Sequence, residues 1–174
     1  MKGEILTNSN KDVKRRYLDF YPTPNEVTEA LIKSFRIEKQ LIWECACGIG
    51  NMSKVLKKYN DVISTDISEN SYGETNIDFL KTYRVSDWII TNPPFKLSSL
   101  FIEHATSQCD NVAFLLKTQY WHASKRTELF RNNPPAYILA LNWRPDFLFG
   151  EKGGSPTMDV CWNIWIKGDT NTKY

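Results

Sequence analysis

One tetrapeptide in the sequence has residue types suited to group transfer onto nitrogen. Asn92-Pro93-Pro94-Phe95 sets a side-chain amide oxygen beside a backbone carbonyl, and the prolines fix φ and stiffen both acceptors. Two such acceptors could hold the two N–H groups of an amino nitrogen whose lone pair is delocalised into a ring, drawing it toward tetrahedral geometry as it attacks. Acceptors fixed in advance are what electrostatic catalysis requires, and positioning supplies much of the rate without a strongly shifted general base. Phe95 could stack on an extruded base, a contact worth roughly 1–3 kcal/mol that offsets part of the few kcal/mol of unstacking. Catalytic roles are therefore expected for Asn92, Pro93, Pro94 and Phe95.

A second copy, Asn133-Pro134-Pro135-Ala136, acts as an internal control. It lacks the aromatic and follows a helical stretch, so it reads as a helix stop. The first copy follows Trp88-Ile89-Ile90-Thr91, a strand that ends where proline can no longer donate to a ladder.

A further group of residues suits a nucleoside ligand. In Trp43-Glu44-Cys45-Ala46-Cys47-Gly48-Ile49-Gly50, the two glycines permit a tight turn and close backbone approach. Ser53 stands where a third glycine would complete a dinucleotide fingerprint, so a pyrophosphate site is disfavoured. Asp66 ends a β-branched run and could accept from both hydroxyls of a ribose. Asp78-Phe79, after a further expected strand, could accept from an adenine amino group and pack the ring. Turn, ribose acid and later acid occur in the chain order that one adenosine-type ligand requires.

The elements that must carry these residues alternate. A first helix is expected over 24–36, then strand 41–43, a glycine turn and a helix from Met52 to Tyr59, and strand 62–65. Strand 87–91, a helix over 97–105, strand 112–116 and a helical stretch over 120–131 follow. Two β-rich runs, 137–141 and 158–166, close the chain and suggest one antiparallel strand near the sheet edge. Alternation of this kind implies an α/β fold with a mostly parallel sheet and helices on both faces.

Composition bounds the alternatives. The 174 residues, 41% hydrophobic and 24% charged, suffice for one packed core, and no run approaches the roughly 20 apolar residues of a membrane span. Without a signal-peptide core the protein is expected in the cytoplasm, with no membrane partner. The net charge of +2 requires any nucleic-acid contact to be a local patch. The four cysteines, at 45, 47, 109 and 161, read as buried small residues, and no metal site is expected. Residues 1–16 form a basic flexible arm, either solvated or contacting phosphate, 17–167 the domain, and 168–174 a frayed tail.

Phe20-Tyr21-Pro22-Thr23-Pro24, the Glu44-to-Gly50 turn, Asp66, Asp78-Phe79 and Asn92-Pro93-Pro94-Phe95 together resemble the ordered motifs of class I S-adenosylmethionine-dependent amino-methyltransferases. The chain is most similar to small phage-type DNA adenine-N6 methyltransferases, over about residues 19–166. The resemblance implies a single Rossmann-like class I domain with a mostly parallel seven-stranded sheet. It implies S-adenosylmethionine as cofactor and S-adenosylhomocysteine as product. Thr23 would lie near the methionine carboxylate, Glu44 and Gly48 would shape the methionine pocket, Asp66 would hold the ribose, and Asp78 and Phe79 the adenine. Tyr21, Cys45, Ala46, Gly50, Ile67 and Asn92 complete the cofactor-binding set. Phe95, Trp143, Arg144 and Phe147 would face the target base.

The resemblance further implies methyl transfer to N6 of adenine in DNA, in the host cytoplasm if the chain is phage-encoded. The same tetrapeptide also serves amino groups of RNA and protein glutamine, and a catalytically inactive cofactor-binding partner subunit is a third reading. Cys45 stands where the family commonly has proline. No segment is long enough for a separate target-recognition domain, so loop 143–157 and the basic arm, a homodimer or a partner subunit would read the substrate.

Overall fold

The computed structural model describes residues 22–147 and 158–174. The N-terminal arm, Tyr21 and residues 148–157 of the expected recognition loop lie outside the described residues. Six strands form one sheet in the order β2-β1-β3-β4-β6-β5, with β1 Leu41–Glu44, β2 Asp61–Ser64, β3 Trp88–Thr91, β4 Asn111–Lys117, β5 Tyr137–Ala140 and β6 Val160–Ile166. Strands β1 to β4 pair in parallel, whereas β6 runs antiparallel to both β4 and β5. The antiparallel strand is thus second from the edge. The carboxyl ends of β1, β2, β3 and β4 consequently open on one rim, where ligands of open α/β sheets bind.

Side chains of successive strand residues point to opposite faces, and the two cores follow this alternation. Ile42, Ile90, Ala113, Leu115, Trp162 and Ile164 pack on one face with α1 (Asn25–Phe35) and α2 (Asn51–Leu56). Trp43, Ile89, Val112, Phe114, Leu116 and Trp165 pack on the other with α3 (Ser98–Gln108) and α4 (Thr127–Asn132). Indole bonds brace both: Trp162 Nε1 donates to the Val27 carbonyl of α1 at 2.9 Å, tying helix to sheet, and Trp43 Nε1 donates to Thr65 Oγ1 at 2.9 Å, tying β1 to the end of β2.

Three features differ from expectation. Among the described residues the sheet has six strands, and the segment before Asp78 contributes only an isolated bridge, Thr65 with Glu74. Its sequence, Glu69-Asn70-Ser71-Tyr72-Gly73-Glu74-Thr75-Asn76, lacks the apolar alternation that would bury one strand face. The 120–131 stretch is broken into short 3-10 turns at Thr118–Trp121 and Ser124–Arg126 before α4. There the Arg126 guanidinium lies over the Tyr120 ring and donates to the Tyr120 carbonyl at 2.7 Å. The segment read as a frayed tail instead pairs with the edge of the sheet, Ile138 N–H donating to Lys173 O at 2.8 Å and Lys173 N–H to Ala136 O at 2.9 Å. An edge strand's unpaired backbone groups are thereby partly covered.

Asn133-Pro134 does end a helix: Asn133 caps α4, and its side chain accepts from Thr106 Oγ1 at 2.9 Å. No helix among the described residues is long and apolar enough to cross a membrane.

Leu115 is fully buried at the centre of β4. Leu115→Ala should cost about 2–5 kcal/mol in urea unfolding, against less than half of that for Leu139→Ala, since Leu139 is only partly buried on the edge strand β5.

Candidate active site

The carboxyl end of β1 places Glu44, 2% exposed, beneath the rim. The Ser53 hydroxyl, from α2, donates to its carboxylate and lies 2.6 Å from the Ser64 hydroxyl of β2. Burial lifts the Glu44 carboxyl from the ordinary 4.5 to about 8; the Ser53 bond opposes this rise, and the negative charge of Asp66 adds to it. At neutral pH Glu44 is therefore mostly protonated. Ser53, the residue standing in place of a third glycine, is the small hydroxyl that this acid needs.

The following turn is set by backbone geometry. Gly48 and Gly50 have φ of 50° and 81°, a region that costs glycine nothing. A Cβ on Gly50 would come within 2.2 Å of the Tyr72 ring, so the position is closed to any other residue while Tyr72 stays. Tyr72 also donates its backbone N–H to Gly48 O at 2.7 Å, and Lys54 and Lys57 lie over its ring. The Asp66 carboxylate accepts from Gly48 N–H and Ser68 N–H, both at 2.8 Å. It thereby ties the two rim turns together and keeps acceptor capacity on each oxygen. Ile67, 67% exposed, projects an apolar side chain beside it.

Asp78 lies close by in the fold: Ile77 N–H donates to Asp66 O at 3.0 Å, and Asp78 Oδ1 caps the short 3-10 turn Phe79–Lys81 by accepting from Leu80 N–H at 3.1 Å. Its other oxygen faces Lys81 Nζ at 3.1 Å. Phe79 is 2% exposed, its ring packed on Trp43, Phe101 and His104. It supports the rim from the core.

Asn92 follows β3 directly. Its Nδ2 donates to Thr23 Oγ1 at 3.2 Å, across a separation of 69 residues, and Thr23 is buried. Thr23 thus orients the Asn92 amide from behind. Pro94 O accepts from Leu97 N–H at 2.9 Å, and the Ser98 hydroxyl donates to Phe95 O at 3.1 Å, so the tetrapeptide is braced by the first turn of α3. The Lys117 ammonium stands 4.2 Å from the centroid of the half-buried Phe95 ring. Sequence reasoning missed Lys117; its signal was a cation ending an apolar strand.

The residues expected to face the target base separate. Trp143 is partly exposed, and Arg144 Nε donates to Asp159 Oδ1 at 2.7 Å. Asp159 O in turn accepts from Thr118 N–H at 3.0 Å, which brings this segment to the rim beside β4. Phe147, however, is 4% exposed within the core on the α1 face; its ring is withdrawn from the surface because it fills apolar volume there. Ala46 and Cys45 line the inside of the turn, both packed in or against the opposite core. All four cysteines are buried. Burial pushes the Cys45 thiol well up and Cys47 to about 11, so neither is a thiolate nucleophile. Among the described residues no three of His, Cys, Asp and Glu gather as a metal site.

No family model and no curated protein matches the chain by sequence. Solved structures resemble its fold. A protein assigned as an RNA methyltransferase from Pyrococcus horikoshii superposes with a TM-score of 0.62 at 14% identity, over 82% of this chain and 81% of that one. One assigned as a class I S-adenosylmethionine-dependent methyltransferase from Listeria monocytogenes gives 0.62 at 17%, over 98% and 72%. A dimethyladenosine transferase from Plasmodium falciparum gives 0.59 at 18%, over 83% and 62%. The same architecture also occurs in a protein assigned as a hemolysin from Lactococcus lactis. The likeness is one of fold: mixed α/β, mostly parallel, as in class I methyltransferases.

The raised Glu44 carboxyl has a sign that can be measured. Between 4.5 and about 8 the unfolded chain has released a proton that the folded chain keeps, so stability falls as pH rises through that window and levels above it. Glu44→Gln should therefore exceed the wild type at pH 8.5 by a few kcal/mol, the shift converting at about 1.4 kcal/mol per unit, and match it near pH 4.5. Parallel pH slopes for the two proteins in urea titrations would contradict the assignment.

Proposed function

We propose that this chain is an S-adenosylmethionine-dependent N-methyltransferase that modifies the N6 amino group of adenine in nucleic acid, with DNA as the first substrate to test. The observation that carries the reading is the location of Asn92-Pro93-Pro94-Phe95. It leaves β3 on the same rim as Glu44, the Gly48–Gly50 turn and Asp66, with the Asn92 amide fixed by Thr23. The fold likeness to a dimethyladenosine transferase agrees with an adenine amino acceptor.

The residues present suit the cofactor. The positive-φ glycines let the backbone pass under a ligand, and Asp66 retains lone pairs for ribose hydroxyls beyond its two backbone bonds. Asp78 stands next along the rim for the adenine. Bound S-adenosylmethionine supplies an electrophilic methyl and positive charge. The Asn92 Nδ2 donates to Thr23, and in this reading the Asn92 side-chain oxygen and the Pro93 carbonyl are the two acceptors for the target amine. As the nitrogen attacks, its N–H groups become more acidic and these bonds strengthen, which is differential stabilisation of the transition state.

Three outcomes are expected. With labelled cofactor, the wild type should transfer methyl to unmodified DNA; transfer to RNA or protein and never to DNA would replace the DNA reading, and no transfer to any acceptor would leave a binding subunit. Asn92→Ala should abolish transfer with cofactor affinity nearly unchanged. Thr23→Val should lower kcat about tenfold with little change in KM, corresponding to about 1.4 kcal/mol of lost orientation, while Thr23→Ser retains activity.

Because a cation beside Glu44 favours its carboxylate, cofactor binding at pH 7 should release a proton and tighten as pH rises toward about 8. Calorimetry in two buffers of different ionisation enthalpy checks this, and Glu44→Gln should reduce the difference.

A further inference from the structure

Asp66 and Asp78, the acids read as holding the adenosine half of the cofactor, lie on a polar stretch that contributes a single bridge to the sheet, Thr65 with Glu74. Glu74 is the pivot of that stretch. Its N–H donates to Ser64 O at 2.8 Å, and its carbonyl accepts from the Asp66 N–H at 3.0 Å. Gly73 lets the chain lie directly on β2, because a Cβ there would stand 2.0 Å from Ser64 O. The Glu74 carboxylate takes both arms of the Arg84 guanidinium, Nη1 to Oε1 at 2.8 Å and Nη2 to Oε2 at 2.5 Å. Arg84 is anchored in turn: its backbone N–H donates to Gln108 Oε1 of α3 at 3.2 Å, and its guanidinium lies 5.9 Å from the Trp43 ring centroid. The bonds from Arg84 hold the Glu74 carboxyl below its ordinary 4.5, so the pair is charged at neutral pH.

We propose that Glu74 and Arg84 are positioning residues that set the separation of Asp66 and Asp78, and through it the affinity for the adenosine half of the cofactor. The inference rests on the reading of this rim as a cofactor site and deepens it. The pair closes an interval of ten residues, with Asp66 bonded to its first residue and Asp78 inside it. Within that interval Asp78 O accepts from the Lys81 N–H at 3.0 Å and from Thr82 Oγ1 at 2.8 Å, which makes Asp78 to Thr82 one compact turn. A bidentate fork fixes direction as well as distance, and both matter where two carboxylates must meet one rigid nucleoside. Without the fork, Glu74 still lies on β2 and Arg84 is still tied to α3, but nothing in the pair then sets the distance between those two anchors. The two side chains are 55% and 25% exposed, and ion pairs at such positions contribute little to global stability. Loss of the pair therefore acts on the ligand more than on the fold, and on binding more than on the transfer step.

The test uses the full chain and two ligands, S-adenosylmethionine and adenosine, the second probing the adenosine half alone. Measured by calorimetry, Glu74→Gln should weaken both about tenfold, as expected for the loss of a charge-assisted bond. Arg84→Lys, which keeps the charge but loses the fork, should weaken both severalfold, and it carries the test should Glu74→Gln fold poorly. In transfer assays both variants should raise the cofactor KM, with kcat at saturating cofactor and the acceptor KM held. Urea midpoints should stay near that of the wild type, and Glu128→Gln, which removes the exposed pair with Arg131 on α4, should change none of these values. A wild type that binds both ligands while the two variants bind them equally well would overturn this inference alone, as would a loss confined to S-adenosylmethionine with adenosine unaffected. A wild type that binds neither ligand would overturn it together with the functional reading.

Discussion

The buried carboxyl of Glu44 is the joint on which the rim is assembled. It sits at the end of β1, takes the Ser53 hydroxyl of α2, and through that hydroxyl reaches Ser64 of β2. Three elements thus meet on one polar chain within an apolar interior. A lone acid at that depth would be costly; protonation and the serine bonds make it tolerable, and the raised carboxyl is the record of that compromise. Asp66 repeats the connection one layer outward, accepting from the turns after β1 and β2. The glycine turn is therefore held from below by Glu44 and from the side by Asp66, while Tyr72 closes over Gly50.

The other half of the rim is built from strand ends. β3 and β4 deliver Asn92, Phe95 and Lys117 to one place because they run parallel and in register. Prolines at 93 and 94 stop the ladder where the acceptors are needed. Thr23 orients the Asn92 amide from a segment that precedes α1, and α1 itself is bound to the sheet by the Trp162 indole. The proposed transfer chemistry then asks little of acid–base groups and much of position, which a sheet with two packed faces provides.

Much of this was legible in the chain. Apolar runs at 41–43, 87–91 and 112–116, interrupted by helical periods, marked the parallel core, and the contrast between Asn92-Pro93-Pro94-Phe95 after a strand and Asn133-Pro134-Pro135-Ala136 after a helix separated a strand end on the rim from a helix stop. Acids at 44 and 66 stood out because each ends a short β-rich segment, and Asp78 because it follows them in chain order. Burial was less readable: Phe79 and Phe147 belong to types that serve equally as ligand platforms and as core, and the core took both. The expected seventh strand failed on composition, its polar segment making one bridge. The tail, read as frayed from its polarity, found partners on the edge of β5.

Local order along the chain set which elements form and which residue types stand at their ends, because periodicity, proline and glycine act over a few neighbours. Which side chains meet was decided only when the sheet closed. The Thr23–Asn92 bond spans 69 residues, and Lys117 reaches Phe95 through strand pairing. Glu44, Ser53 and Ser64 are joined by a crossover. Contacts of this kind depend on register and on the packing of α1 and α2 against the sheet, long-range constraints that no local pattern encodes. The fold could be read from the chain, but the orientation of its acceptors could be read only from the folded rim.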